Sequence, residues 1–130
     1  MPMKAFILTA AVAALGLAGA ARADSPAAQP NMPCFFSRDW AGWRSPDKNT
    51  IYLRVRVNEI YKVDLAYGST LLTWPDSHLI NEIRGTDSIC RPIDLDLKVA
   101  EDGIIEPLFV KSISKLTPEQ VAMIPKKYLP

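Results

Sequence analysis

The only histidine, His78, stands in Trp74-Pro75-Asp76-Ser77-His78, where an acid, a hydroxyl and an imidazole follow one another. A Ser-His-Asp triad needs the imidazole between nucleophile and carboxylate, a geometry that folds assemble from distant segments. Three near-consecutive residues cannot supply it, and Pro75-Asp76-Ser77 reads first as a turn. Asp76 or Asp87 could still approach His78 in space, which leaves open a small hydrolase using His78 with a nearby Asp. A calcium loop at Asp94 and Asp96 fails, because Lys98 takes the third ligand position and Val99 the glycine position. No Gly-rich phosphate loop, G-x-S-x-G or H-E-x-x-H occurs. We expect neither a metal nor a cofactor.

Binding chemistry is better represented. The segment Pro33-Cys34-Phe35-Phe36-Ser37-Arg38-Asp39-Trp40-Ala41-Gly42-Trp43-Arg44 concentrates aromatic and cationic side chains. Trp40 and Trp43 would share a face if this stretch made a helical turn. Flanked by Arg38, Asp39 and Arg44, they could stack on a sugar ring or anchor a protein partner. Trp40, Trp43 and Arg44 are therefore the candidate binding residues. The competing reading makes Phe35, Trp40 and Trp43 an aromatic cap on a β-core, with at most one tryptophan exposed, since large aromatics are mostly core material.

Cys34 and Cys90 are the two cysteines. There is no C-x-x-C, and two Cys with one His fall short of a four-ligand zinc cage. In an oxidising compartment they are expected to pair as a structural disulfide.

That compartment is suggested by the N-terminus. Lys4 precedes an uncharged run from Ala5 to Ala21, and Ala21-Arg22-Ala23 has the small-x-small form of a cleavage site. Residues 1–23 read as a secretory signal peptide. The run is short and Ala/Gly-rich for a membrane span, so no stable span is expected after cleavage. Residues 24–33, rich in Pro and Ala, read as a flexible leader, and 34–130 as one small disulfide-stapled β domain. Of the 130 residues, removal of the first 23 leaves 107, with 13 basic and 14 acidic side chains. Near-neutrality argues against a nucleic-acid partner.

The elements that must position these residues are mostly strands. Ile51, Leu53, Val55 and Val57 alternate with Tyr52, Arg54 and Arg56, and Tyr61, Val63 and Leu65 alternate with Lys62 and Asp64. Parity favours a three-residue loop at Asn58–Ile60, which would set Val57 against Tyr61, Val55 against Val63 and Leu53 against Leu65. Further strands are expected at 71–74, 79–84, 93–99 and 108–116, with Ile93, Leu95, Leu97 and Val99 on one face. Pro107 should mark a strand beginning or an edge position. A helix should start at Thr117, with Pro118 first, Gln120 completing a capping box, and Pro125 ending it. The fold class is mainly β: a small antiparallel sheet or open barrel of about five to six strands, with the aromatic N-terminal cap and one short C-terminal helix.

Cys34-Phe35, the hairpin from Tyr52 to Leu65, Ile89-Cys90 followed by Pro92-Ile93-Asp94, and the closing Leu116-Thr117-Pro118-Glu119 carry a resemblance. Over residues 34–125 the chain resembles domain of unknown function 6491, a family of small exported proteins of Gram-negative bacteria. Many of its members look to carry four cysteines, the extra pair falling near Ser69-Thr70 and near Leu108, both positions without Cys here. The family brings no active site with it, so the resemblance implies compartment and architecture. The best reading is an exported, non-catalytic periplasmic module that binds a protein, a glycan or another envelope component. The alternative remains the His78 hydrolase.

Overall fold

A computed structural model describes residues 34–130, so the expected signal peptide and leader lie outside the described residues. The described chain is mainly β, in three antiparallel sheets with one short α-helix and no closed barrel. Nine strands appear among the described residues, more than the five to six expected, because three short or irregular ones leave no alternating pattern. They are β1 (Phe35–Phe36), β2 (Trp40–Asp47), β3 (Thr50–Val55), β4 (Glu59–Leu65), β5 (His78–Asn81), β6 (Ser88–Ile89), β7 (Leu97–Glu101), β8 (Ile104–Leu108) and β9 (Val110–Lys115).

The central sheet has the order β2-β3-β4-β9, a second sheet β5-β7-β8, and a two-stranded clip joins β1 to β6. Inward residues of all three meet in one core: Leu53, Val55, Val63 and Ile113 from the first, Leu97 and Val99 from the second, Phe35 and Ile89 from the clip. β8 and β9 are separated by Phe109 alone, so one extended segment leaves the second sheet and enters the first. The corner is fixed where the Ala66 N–H donates to the Phe109 carbonyl at 2.8 Å. Strands that switch sheets in this way make the corners of crossed-sheet packings.

The β3–β4 hairpin has the expected faces but a different register. Val55 opposes Glu59, Leu53 opposes Tyr61 and Ile51 opposes Val63. The loop is Arg56-Val57-Asn58, and Val57, expected inward, is 78% exposed at its tip. Sliding a hairpin by an even number of residues leaves every side chain on its own face, so alternation cannot choose between the two registers. Three other expectations change. The strand expected at 71–74 is instead a 3-10 turn over Thr70–Thr73, with the Ser69 hydroxyl accepting from the Leu71 N–H. Pro92–Asp94 is also a 3-10 turn, which throws Ile93 out to 81% exposure while Leu95, Leu97 and Val99 stay buried. The single strand expected at 108–116 is the end of β8 and all of β9. Pro107 lies in β8, an edge strand, as its missing donor requires.

Local determinants set two further features. Asp102 and Gly103 both take positive φ (44° and 80°), the left-handed pair that closes a two-residue hairpin between β7 and β8. The helix α1 (Pro118–Ala122) carries its capping box: Thr117 accepts from the Gln120 N–H and Gln120 accepts from the Thr117 N–H. No helix among the described residues is long and apolar enough to cross a membrane.

Cys34 and Cys90 are bonded, with Cα atoms 4.3 Å apart. The bridge continues the β1–β6 ladder, in which Phe35 opposes Ile89 and Phe36 opposes Ser88. One step beyond the other end, the Ser37 N–H donates to the Asp87 carbonyl at 3.0 Å. The clip therefore holds the segment from Cys34 to Ser37 through a covalent pair, two strand pairs and a polar pair in succession.

Asp94 anchors the chain just past the bridge, its carboxylate accepting from the N–H groups of Cys90 (3.0 Å) and Arg91 (2.9 Å). The Cys90 N–H above all, with the Arg91 N–H and guanidinium, holds the Asp94 carboxyl below its ordinary range. The unfolded chain binds that proton more readily, so the stabilisation is present above the ordinary carboxylate range and is lost as pH falls through the lowered native value. Asp94→Asn is expected to cost about 1 kcal/mol at neutral pH, the usual worth of a capping carboxylate, and to weaken the acid dependence of unfolding. Urea midpoints of both proteins against pH test this; parallel curves would refute it.

Candidate functional site

Trp40 and Trp43 do not lie on a helical turn. Ser37–Asp39 makes a 3-10 turn and Trp40 opens β2. Residues three apart on a regular strand face opposite ways. A register shift between Trp40 and Gly42 changes this, so Trp40 opposes Val55 and Trp43 opposes Leu53, both core positions. The bulge at Ala41 thus turns both indoles to the core side. Both are half-buried and packed against the core, consistent with the cap reading.

The two tryptophans then part company. Trp40 donates from Nε1 to the Gly42 carbonyl at 2.7 Å and borders a shallow depression with Ser37, Arg38, Leu79 and Asp87. Trp43 and Arg44 line a cleft of about 350 Å³ on another part of the surface. Three segments build it. The end of β2 contributes Trp43, Arg44, Ser45 and Pro46, and a second register shift between Arg44 and Asp47 accommodates a proline without an N–H. The 3-10 turn after Ser69 contributes Leu72 and Thr73, followed by Trp74 and Pro75. The C-terminal 3-10 turn, Lys126–Tyr128, contributes Lys127 and Tyr128.

Each wall is held by local bonds. The Trp74 N–H donates to the Leu71 carbonyl at 3.1 Å and the Tyr128 N–H to the Pro125 carbonyl at 2.9 Å. Ser69, buried, also donates from its hydroxyl to a Glu106 carboxylate oxygen at 2.5 Å, tying the turn to β8. Leu72 is buried beneath the cleft, while Trp74 remains 44% exposed. The Lys127 ammonium sits 4.7 Å from the Tyr128 ring centroid, a cation–π contact at the cleft's edge.

Of the three candidate binding residues, Trp43 and Arg44 line this cleft and Trp40 lines another depression, while Trp74, Lys127 and Tyr128, not singled out from the sequence, join Trp43 and Arg44. Trp74-Pro75 and Lys127-Tyr128 each set an aromatic beside a residue that shapes or charges a surface; nothing in the sequence joined them to β2. His78 is exposed at the start of β5, opposite Ala100. Asp87 is occupied elsewhere: one carboxylate oxygen accepts from the Ser37 N–H and hydroxyl, and the other from Arg38 at 2.8 Å. The structure does not bring His78 and Asp87 together. Among the described residues no group of three or more His, Cys, Asp or Glu is gathered to hold a metal.

Tyr61, buried beside Phe35 with ring centroids 4.7 Å apart, has its phenol pushed up by burial. It belongs to the core, not to the cleft. The cleft is lined by the aromatic side chains Trp43, Trp74 and Tyr128, the hydroxyl side chains Ser45, Thr73 and Ser77, and the cations Arg44 and Lys127. No family model matches the chain, and neither a curated protein nor a solved structure matches it.

Proposed function

We propose that this chain is an exported, non-catalytic envelope module that binds a glycan in the Trp43–Trp74–Tyr128 cleft. The carrying observation is the convergence of three aromatic side chains from distant segments around a small cleft interspersed with Ser45, Thr73 and Ser77. Flat rings beside hydroxyl groups suit a sugar, whose faces are apolar and whose edges are rows of O–H groups. A cleft near the low end of the usual ~300–1,000 Å³ range suits a short stretch of saccharide. The residues also favour membership of the family of small exported proteins resembled above, and the bonded cysteines suit an oxidising compartment such as the periplasm or the exterior.

Retention of the native protein on immobilised envelope glycans tests the reading. Trp74→Ala should abolish retention while leaving the unfolding midpoint within ~0.5 kcal/mol of the parent, as for exposed substitutions. His78→Ala should change neither. Loss of a hydrolytic activity on His78→Ala at unchanged stability would support the hydrolase instead. The export component makes a separate forecast: the intact mass of native protein should correspond to a chain beginning at Asp24, and a mass retaining residues 1–23 would defeat it.

A further inference from the structure

We infer that the saccharide taken by the cleft is acidic, bearing a carboxylate or phosphate that meets Arg44 and Lys127; this rests on the glycan reading above. No carboxylate lines the cleft, whereas two cations do. Several cations elsewhere are matched, Arg38 with Asp87, Arg84 with Asp96, Arg91 with Asp94 and Lys115 with Glu59, whereas Lys48, Arg54, Lys111 and Lys126 form no such pair among the described residues. Among the described residues, neither Arg44 nor Lys127 has a carboxylate partner.

The hydroxyls point the same way. Ser45 donates to the Thr50 carbonyl at 2.5 Å, Thr73 to the Thr70 carbonyl at 2.8 Å and Ser77 to the Trp74 carbonyl at 3.0 Å. With their protons committed to backbone, these oxygens are left to accept from sugar O–H groups. They offer an anion nothing. Charged donors at the rim must do that, and the Lys127 ammonium is already held beside the aromatic wall by Tyr128. Arg44 brings a planar guanidinium able to take two oxygens of one anionic group at once. The site thus separates its tasks: rings for sugar faces, hydroxyl oxygens for sugar hydroxyls, cations for the acid.

Tryptophan fluorescence titration of the native protein tests this with three probes: an α-1,4-galacturonate tetramer, a phosphorylated glucosamine disaccharide and the neutral α-1,4-galactose tetramer. At least one acidic probe should bind roughly tenfold or more tighter than the neutral one, with affinity falling as salt rises. Which acidic probe binds separates carboxylate from phosphate. Arg44→Gln and Lys127→Gln should each weaken that binding by roughly tenfold, as loss of a charged hydrogen bond does, while leaving circular dichroism and thermal midpoint unchanged. Equal binding of the neutral tetramer, insensitive to both substitutions but lost in Trp74→Ala, would overturn the acidic ligand and leave the glycan reading standing. Binding of none of the three probes would overturn the acidic ligand; failure of retention on envelope glycans as well would overturn the glycan reading with it.

Discussion

Cys34→Ser, Cys90→Ser or reduction of the bridge should lower stability by roughly 2–5 kcal/mol, the usual cost of losing a native disulfide in a small secreted domain. The sequence separation of 56 closes a long loop, worth about 4 kcal/mol in the chain-entropy account. Position adds to this. The bond sits at the outer end of the β1–β6 ladder, and that ladder has only two strand pairs of its own. Without the covalent pair, Phe36–Ser88, Phe35–Ile89 and the Ser37–Asp87 contact must hold this segment alone. Loosening should begin at the clip and spread to Trp40 and Trp43, while the β2-β3-β4-β9 sheet keeps its protection. Denaturant unfolding with and without reductant gives the magnitude, and amide exchange gives the order. A reduced protein with an unchanged midpoint, or one whose central sheet exchanges first, would refute the argument.

Phe35→Ala should cost about 3–5 kcal/mol, as large-to-small changes at buried aromatic positions do. Phe35 is 1% exposed, opposes Ile89 and meets the Tyr61 ring at a centroid distance of 4.7 Å. The cavity cannot collapse freely, because Cys34 on one side and the Ser37–Asp87 bonds on the other fix the backbone. The two substitutions act on one device, so they should not add: Cys34→Ser with Phe35→Ala should fall short of the sum by more than ~0.5 kcal/mol, the limit for independent sites. Full additivity in equilibrium unfolding would show that bridge and ring stabilise the fold separately. A cost below ~1 kcal/mol for Phe35→Ala would remove the ring from the core account.

What could be read from the chain depended on whether a local pattern had one solution. Alternation over Ile51–Val55 and Tyr61–Leu65 fixed which side chains point inward, because a face assignment needs only parity. Register needs more. Glu59 opposes Val55 only because β4 must also meet β9, with Tyr61 opposite Lys115 and Val63 opposite Ile113, partners some fifty residues away in sequence. Capping at Thr117 was legible because its determinants lie within four residues. The cysteine pair was legible by elimination. Leu71–Trp74 misled because a run of apolar residues beside Thr looks extended, while the Ser69 cap and the bond to Glu106 that bend it are tertiary. The cleft suffered the same way. Trp43 and Arg44 stood out by composition, but Trp74 and Tyr128 became neighbours only after a 3-10 turn and the C-terminal segment had folded against the end of β2. Trp40 and Trp43 share a side for a reason the spacing did not show: it suggested a helical turn, and the bulge at Ala41 gives a shared core side on a strand.

Pro107, introduced as the proline of an edge strand, also bears on how copies of this chain treat one another. β8 carries Ile104 and Ile105, both exposed, in an outer strand of the β5-β7-β8 sheet. An apolar outer strand with free backbone groups is a template on which a second chain can add, and stacking of that kind begins aggregation. Glu106 and Pro107 interrupt the template midway: one sets a charge on it, and the other replaces an amide donor with a ring. An incoming strand meets a gap in its hydrogen-bond row two residues after the isoleucines. The same Glu106 is held by Ser69, so the charge that guards the edge is kept in place by the turn that lines the Trp43–Trp74–Tyr128 cleft. Protection of this sheet edge and the form of the Trp43–Trp74–Tyr128 cleft therefore share a residue.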